Sequence, residues 1–296
     1  MSDDAVIPRG PFSLSAARDF AGGFPAGLFA HGTDAGLSMA FPVEDWGGSV
    51  AADVWQTADG TVHVHLTGPG DPTAARRQVL RSLSLDHDGT DWPAIGQRDP
   101  VLGAIQQRYD WLRPVCFYSA YEAATSFVIG QRISMRQARV VKERLAAAHG
   151  DPIEMDGGVI RPFPRPQRLL EVTEVVGLAA SKVDRIHGLA KAALDGRLDT
   201  ERLRAMPEAE ALAALQVLPG VGPWTAQGIL LRGCGVADAL PMGDAISRQA
   251  VAAFYGLPEP LGDDAWLELA EAWRPYRMWA TVLLHMAWRR EQGTRA

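Results

Sequence analysis

Hydrophobic periodicity changes once along this chain, at Trp92-Pro93, and the change restricts the fold to a strand-bearing unit followed by a helical one. Before it, Val62, Val64 and Leu66 alternate with His63 and His65, the period-two pattern of a half-buried strand. An earlier run over 49–56 joins it through Ala58-Asp59-Gly60, which predicts a hairpin. The two histidines fall on the face away from the apolar positions and are expected to meet solvent, and no third ligand accompanies them for a metal site. Asp71-Pro72 has the form of an N-cap followed by proline at the first helical position, opening a helix towards Leu85. Residues 1–92 are therefore expected to form an α+β unit with an antiparallel sheet.

After Trp92-Pro93, helix signals follow one another. Ser119-x-x-Glu122 and Ser134-x-x-Gln137 both have the form of capping boxes, in which each side chain satisfies a helix N-terminal amide. The first helix places Ala120, Ala123, Phe127 and Val128 on its apolar side and stops at Gly130. Gly130-Gln131-Arg132-Ile133 connects it to a second helix that ends near His149-Gly150. Further helices are expected over 166–176, 181–194, 208–217, 223–233, 245–255 and 263–290, the last broken near Pro275. A chain of 296 residues exceeds the usual size of one core, so two or three packed substructures with a cleft between them are expected.

Composition excludes several classes. The apolar run over 278–288 falls short of the roughly 20 residues that span a bilayer, so no membrane association is expected. The first five residues carry two aspartates and no basic region, which predicts a cytoplasmic address. Cys116 and Cys234 are too few for a disulfide framework or a cysteine cluster and are expected as free thiols. The net charge of −6 counts against nucleic acid, yet total charge is not local charge. Arg132, Arg136, Arg139, Lys142 and Arg144 run together with a single acid, Glu143, which allows a basic face on an acidic protein.

The most informative motif is Leu218-Pro219-Gly220-Val221-Gly222-Pro223-Trp224-Thr225-Ala226, between two expected helices. Two glycines around one apolar residue permit a tight turn that brings backbone amides to the surface, and Pro223 pre-sets the next helix. Amides at a helix N-terminus suit a phosphate, although an ordinary helical hairpin can carry the same glycines. Asp244, in Leu240-Pro241-Met242-Gly243-Asp244-Ala245, is by position alone an N-cap.

Taken together, the hairpin and the aspartate downstream of it resemble the helix-hairpin-helix DNA glycosylases, and most nearly the bacterial DNA-3-methyladenine glycosylase II group. The resemblance covers most of the chain. Ile129-Gly130-Gln131-Arg132-Ile133-Ser134 resembles that group's minor-groove loop, and Gly177-Leu178-Ala179-Ala180-Ser181-Lys182, Leu231-Arg232-Gly233 and Leu283-Leu284-His285 match further on. It implies a TATA-binding-protein-like antiparallel sheet followed by an all-helical region. The implied division is 1–92, then 119–236 with the hairpin, then 93–118 plus 237–296 as a second helical subdomain.

The same resemblance implies a monofunctional glycosylase that flips an alkylated purine from double-stranded DNA and hydrolyses its N-glycosidic bond. Asp244 is the implied catalytic carboxylate, stabilising an oxocarbenium-like state and orienting water. A 3-methyl or 7-methyl purine is already cationic and leaves without protonation, so one acid suffices. Trp224 stands in the place where strand-cutting members carry a Schiff-base lysine, so lyase activity is not expected, and its indole is the implied base-pocket wall. Implied DNA contacts are Gln131, Arg132, Ser134, Gly220, Val221, Gly222, Thr225, Ser247 and Arg248. No cofactor is required, but the carbonyls of Gln216, Leu218 and Gly220 are implied to hold a structural Na+ or K+. The protein is expected to be monomeric and nucleoid-associated.

Three positions depart from the group. Arg132 stands where an apolar wedge is usual, and Gly228 and Ala287 stand where aromatics are usual, so a more open base pocket is expected. His285 is expected to be a hydrogen-bonded core histidine. Two other functions fit parts of the pattern: a glycosylase for a neutral oxidised or deaminated base, which needs extra polar pocket groups, and a non-catalytic helix-hairpin-helix DNA-binding protein, which has no need of Asp244.

Overall fold

Alternation builds a sheet, and a larger one than the expected hairpin. In the computed structural model, which describes residues 4–23, 30–32, 36–155 and 158–295, five antiparallel strands pair in the order β1-β5-β4-β3-β2. They are β1 (Asp4–Val6), β2 (Ala30–Gly32), β3 (Gly36–Pro42), β4 (Ser49–Gln56) and β5 (Val62–Thr67), with helix α1 (Leu14–Gly22) between the first two. The first three residues of the acidic N-terminus lie outside the described part. The β4–β5 turn closes as the sequence predicts, with Gly60 at φ +89°. His63 and His65 are half-buried rather than fully solvent-facing, because the cross-strand register sets His63 flat against Trp55 at 5.1 Å between ring centroids. Among the described residues no cluster suited to a metal ion forms.

The helices begin largely where short polar side chains cap them. Asp71 accepts from Ala74 N at the head of α2 (Pro72–Ser82), and α3 (Trp92–Arg98) and α4 (Pro100–Arg108) follow. Ser119 caps α5 (Ala120–Gly130), and Ser134 with Gln137 completes the box on α6 (Met135–His149). At Ser119 only half of the expected box exists. Glu122 turns inward to Lys142 at 3.4 Å, and both side chains are 2% exposed.

Strand signals do not end at Trp92: a small hairpin of β6 (Ile153–Met155) and β7 (Gly158–Ile160) follows α6. The helix expected over 166–176 is only α7 (Pro166–Leu169). Then come α8 (Ala180–Leu194), α9 (Thr200–Ala205), α10 (Glu208–Gln216) and α11 (Pro223–Gly228), which widens into a π-turn over Ile229–Gly233. α12 (Ala245–Tyr255), α13 (Asp263–Glu271) and α14 (Arg277–Arg295) complete the chain, the last two separated at Pro275 as expected.

Two apolar cores result. Leu37, Met39, Phe41, Val50, Ala52 and Val54 on one sheet face pack with α3, α4 and α12–α14, where Trp92, Trp266, Trp273 and Trp279 are fully buried. Truncating any one of these indoles to alanine is expected to cost about 3–5 kcal/mol. Ala40 and Ala51, paired on the opposite face, join a second core made by α5, α6 and α8–α11. Leu230 belongs to the second core and Leu231 to the first, so the π-turn after α11 is where the two cores meet. Cys116 and Cys234 are free and buried. None of the described helices is long and apolar enough to cross a membrane.

Candidate active site

The hairpin is anchored from below. Leu218 and Val221 are buried, while Gln216, Val217, Pro219, Gly222, Pro223 and Trp224 are exposed around them. Gly220 has φ +79°, a conformation that favours glycine, while the nearest atom to a Cβ there, Arg185 Cδ at 2.9 Å, belongs to an exposed side chain that can move aside. A Cβ at Gly222 meets nothing within 4 Å, which leaves that backbone open to approach. Pro223 occupies the start of α11, so the Trp224 and Thr225 amides in its first turn lack intrahelical acceptors. The Thr225 side chain is 5% exposed, so any contact from it to DNA is limited to its backbone.

The loop after α5 is tied to this hairpin. Gln131 Nε2 donates to the Gly220 carbonyl at 2.8 Å, and Gln131 Oε1 accepts from Arg185 Nη1 at 3.3 Å. Lys182 Nζ donates to the carbonyls of Ile129 at 2.8 Å and Gln131 at 2.5 Å, fixing the end of α5. Desolvation first, and then the nearby Arg185 and Arg132 charges, pull Lys182 below the ordinary lysine range. Gln131 therefore spends its side chain on the hairpin, whereas Arg132 is exposed and sits at φ +58°, a left-handed conformation uncommon outside glycine. Ser134 lies beside it as the α6 cap. The basic run is smaller than the sequence implies: Lys142 is buried against Glu122, and Arg132, Arg136, Arg139 and Arg144 carry the exposed charge.

Asp244 caps α12 and is more than a cap. Its Oδ1 accepts from Ile246 N at 3.1 Å, and its Oδ2 accepts from the Ser247 hydroxyl at 2.5 Å. His285 Nδ1 lies 3.6 Å from the same Oδ2. Partial burial opposes ionisation, but His285, Ser247 and the Ile246 amide outweigh it and hold the carboxyl below the usual aspartate range. His285 is thus not the core histidine expected. It stands on α14 with its side chain 31% exposed and its imidazole towards Asp244. The Ser247 hydroxyl and the Arg248 guanidinium are likewise not free for DNA. Ser247 is 1% exposed and serves Asp244, and Arg248 bonds Asp263 and the carbonyls of Leu261 and Met242.

Trp224 faces this carboxylate's loop. Gln227 Oε1, also on α11, accepts from Gly243 N at 3.1 Å, and a Cβ at Gly243 would lie 3.8 Å from Trp224 Cδ1. Trp224 is 52% exposed and meets Phe127 edge to face at 5.5 Å. The space above Gly228 is not open as expected, because the Phe127 ring from α5 fills it. Ala287 is buried in the first core. Phe127 lies on the apolar side of α5 as expected but also meets Trp224, and His285, expected in the core, meets Asp244. Each sits on an apolar helix pattern, and only the spacing of His285 four residues before Arg289 hinted at a polar role.

No family profile matches the chain. Among curated proteins it is 28% identical over 264 residues to DNA-3-methyladenine glycosylase 2 of Escherichia coli, covering 86% of this chain and 85% of that one. It is 28% identical over 217 residues to the DNA-3-methyladenine glycosylase of Bacillus subtilis, covering 71% and 72% respectively. Among solved structures, the 3-methyladenine DNA-glycosylase from Archaeoglobus fulgidus superposes with a TM-score of 0.79 at 21% identity, over 97% of this chain and 98% of that one.

Proposed function

We infer that this chain is a helix-hairpin-helix DNA glycosylase, similar to the DNA-3-methyladenine glycosylases, and that it removes alkylated bases from DNA in base excision repair by hydrolysing the N-glycosidic bond. The observation that carries the mechanism is Asp244: a carboxylate that accepts from the Ile246 amide and the Ser247 hydroxyl, with the His285 imidazole close by, on the loop that the exposed Trp224 indole faces. As the glycosidic bond lengthens, positive charge develops on the sugar, and a preformed anion nearby lowers that state's energy without reorganisation. Oδ1 carries only the backbone bond and so retains lone pairs to orient a water molecule. A 3-methyl or 7-methyl purine leaves as a neutral base, so the absence of a second acid in the proposed role is no obstacle.

The remaining assignments follow from this reading. The amides of Gly220, Gly222, Trp224 and Thr225 grip one backbone phosphate, Pro223 having none and Val221 N being spent on the Leu218 carbonyl, and Arg132 enters the minor groove opposite the extruded nucleotide. The Trp224 and Phe127 rings form an aromatic corner for a flat, cationic base. For the hairpin cation, the Gln216, Leu218 and Gly220 carbonyls offer an all-oxygen set fit for a hard monovalent ion. The Leu218 and Gly220 oxygens already accept from Val221 N and Gln131 Nε2, and each keeps a second lone pair. The five-stranded sheet is of the TATA-binding-protein type, 1–92, 119–236 and 93–118 plus 237–296 are the three units, and the enzyme works as a monomer in the cytoplasm on the nucleoid.

The test is release of base from duplexes carrying 3-methyladenine, 7-methylguanine, ethenoadenine, hypoxanthine or 8-oxoguanine. Asp244→Asn keeps the cap oxygen and removes the charge, so base release should fall at least ~100-fold while DNA binding stays within a few-fold. Near-normal turnover in that variant overturns the assignment.

A further inference from the structure

The imidazole of His285 has two nitrogens, and its neighbours dictate which one carries the proton. Arg289, one turn further along α14, donates through Nε to His285 Nε2 at 3.4 Å. A guanidinium has only donors, so Nε2 must present its lone pair, and the ring proton then resides on Nδ1. Nδ1 is the nitrogen 3.6 Å from Asp244 Oδ2 and 3.5 Å from the Ser247 hydroxyl. The Ser247 proton is already committed to Oδ2, which leaves the serine oxygen free to accept from Nδ1. The result is a directed set of donors, from Arg289 through His285 and Ser247 to a single carboxylate oxygen.

Resting on the functional reading above, we propose that His285 is a positioning residue for Asp244: with Ser247 it saturates Oδ2, fixes the rotation of the carboxylate, and leaves Oδ1 as the oxygen presented to the sugar and water. The contact of 3.6 Å is longer than a hydrogen bond, and a small rotation of the ring on substrate binding closes it. The depressed carboxyl of Asp244 agrees with this set of donors. Few other charges compete for the imidazole. Arg248, the next residue after Ser247 on α12, is turned to Asp263 and to backbone carbonyls, and α11 carries no charged side chain. Asp244 and Arg289 are the charged groups that face His285 in contact.

The experiment compares His285→Leu, which removes the donor at similar bulk, with His285→Asn, whose side-chain amide reaches about as far as Nδ1. Two measurements are made on each protein: the carboxyl titration of Asp244 by carbon-detected NMR without DNA, and single-turnover base release against pH. For His285→Leu the carboxyl midpoint and the acid limb of the rate profile should both move to higher pH, and the plateau rate should fall about 10-fold, the worth of one charge-assisted hydrogen bond. His285→Asn should restore most of the plateau and return the midpoint towards wild type. An unmoved midpoint in His285→Leu, or equal loss in Leu and Asn variants, overturns the positioning role. The NMR readout needs no turnover, so a wild-type protein inactive on every duplex would defeat the glycosylase assignment while still showing whether His285 governs Asp244.

Discussion

The Phe127 ring stands over the Cα of Gly228, so that a methyl group on residue 228 would lie 2.7 Å from Phe127 Cζ. One residue is small because the other, about 100 positions earlier, fills its space. The pair fixes the wall beside Trp224, and it predicts specificity effects without loss of fold. Phe127→Ala should remove a stacking partner worth about 1–3 kcal/mol, slowing single-turnover release of an alkylated purine roughly 5- to 150-fold. Gly228→Ala requires only that the free end of the ring swing aside, so its thermal stability should stay near wild type while relative rates on purines of different size change. Unchanged rates on all lesions in both variants would remove these residues from the pocket.

Trp224 predicts the fate of the sugar. An indole cannot form an imine, so the product should be an intact abasic strand that breaks only under later alkali or heat. Incubation with lesion DNA and borohydride should give no covalent protein–DNA adduct. A trapped adduct would point to another amine in the site and refute monofunctional hydrolysis.

Lys142 predicts a stability effect that the sequence concealed. Its ammonium and the Glu122 carboxylate are 3.4 Å apart, each 2% exposed, and burial pulls the lysine down and pushes the glutamate up. Lys142→Met leaves a buried carboxylate without its partner and should cost about 3–5 kcal/mol in urea unfolding, whereas Glu122→Leu combined with Lys142→Met should recover most of it. Affinity for undamaged DNA should hardly change, because Lys142 does not reach the surface. A salt-dependent loss of DNA binding in the single variant would place it on the basic face after all.

What was legible in the sequence was local. The Ser134 capping box, the Asp71 cap, the glycine hairpin and the position of Asp244 depend on neighbours within a few residues, and each has its own chemical signature. What escaped depends on pairing between distant segments. Glu122 completes a capping-box pattern with Ser119 in sequence, yet a lysine on the next helix claims its carboxylate. His285 looks like a core residue because Leu283, Leu284 and Met286 surround it in the chain, and only the arrival of α12 beside α14 turns it towards Asp244. The β6–β7 hairpin has three-residue strands, too short for alternation to show.

The loop that carries Arg132 makes the last prediction. Lys182 and Gln131 pin the backbone just before it to α8 and the hairpin, the Ser134 capping box holds the backbone after it, and Arg132 itself sits at a left-handed φ with its side chain exposed. A fixed backbone with one long projecting side chain suits a plug. Extruding a nucleotide leaves an unstacked gap costing a few kcal/mol, part of which a planar guanidinium recovers by stacking or by bonding the orphaned base. The competing role is a phosphate contact, and the two differ in what Arg132→Ala does. Loss of a phosphate contact weakens binding to damaged and undamaged DNA alike and lowers the salt slope by about one. Loss of a plug reduces flipping, so fluorescence of 2-aminopurine beside the lesion and single-turnover cleavage should fall together, with nonspecific affinity nearly constant. Lys182→Met should reproduce that pattern in weaker form, since it loosens the same backbone. If Arg132→Ala instead weakens binding to undamaged DNA as much as it slows cleavage, the guanidinium is an electrostatic anchor and the gap is filled by another group.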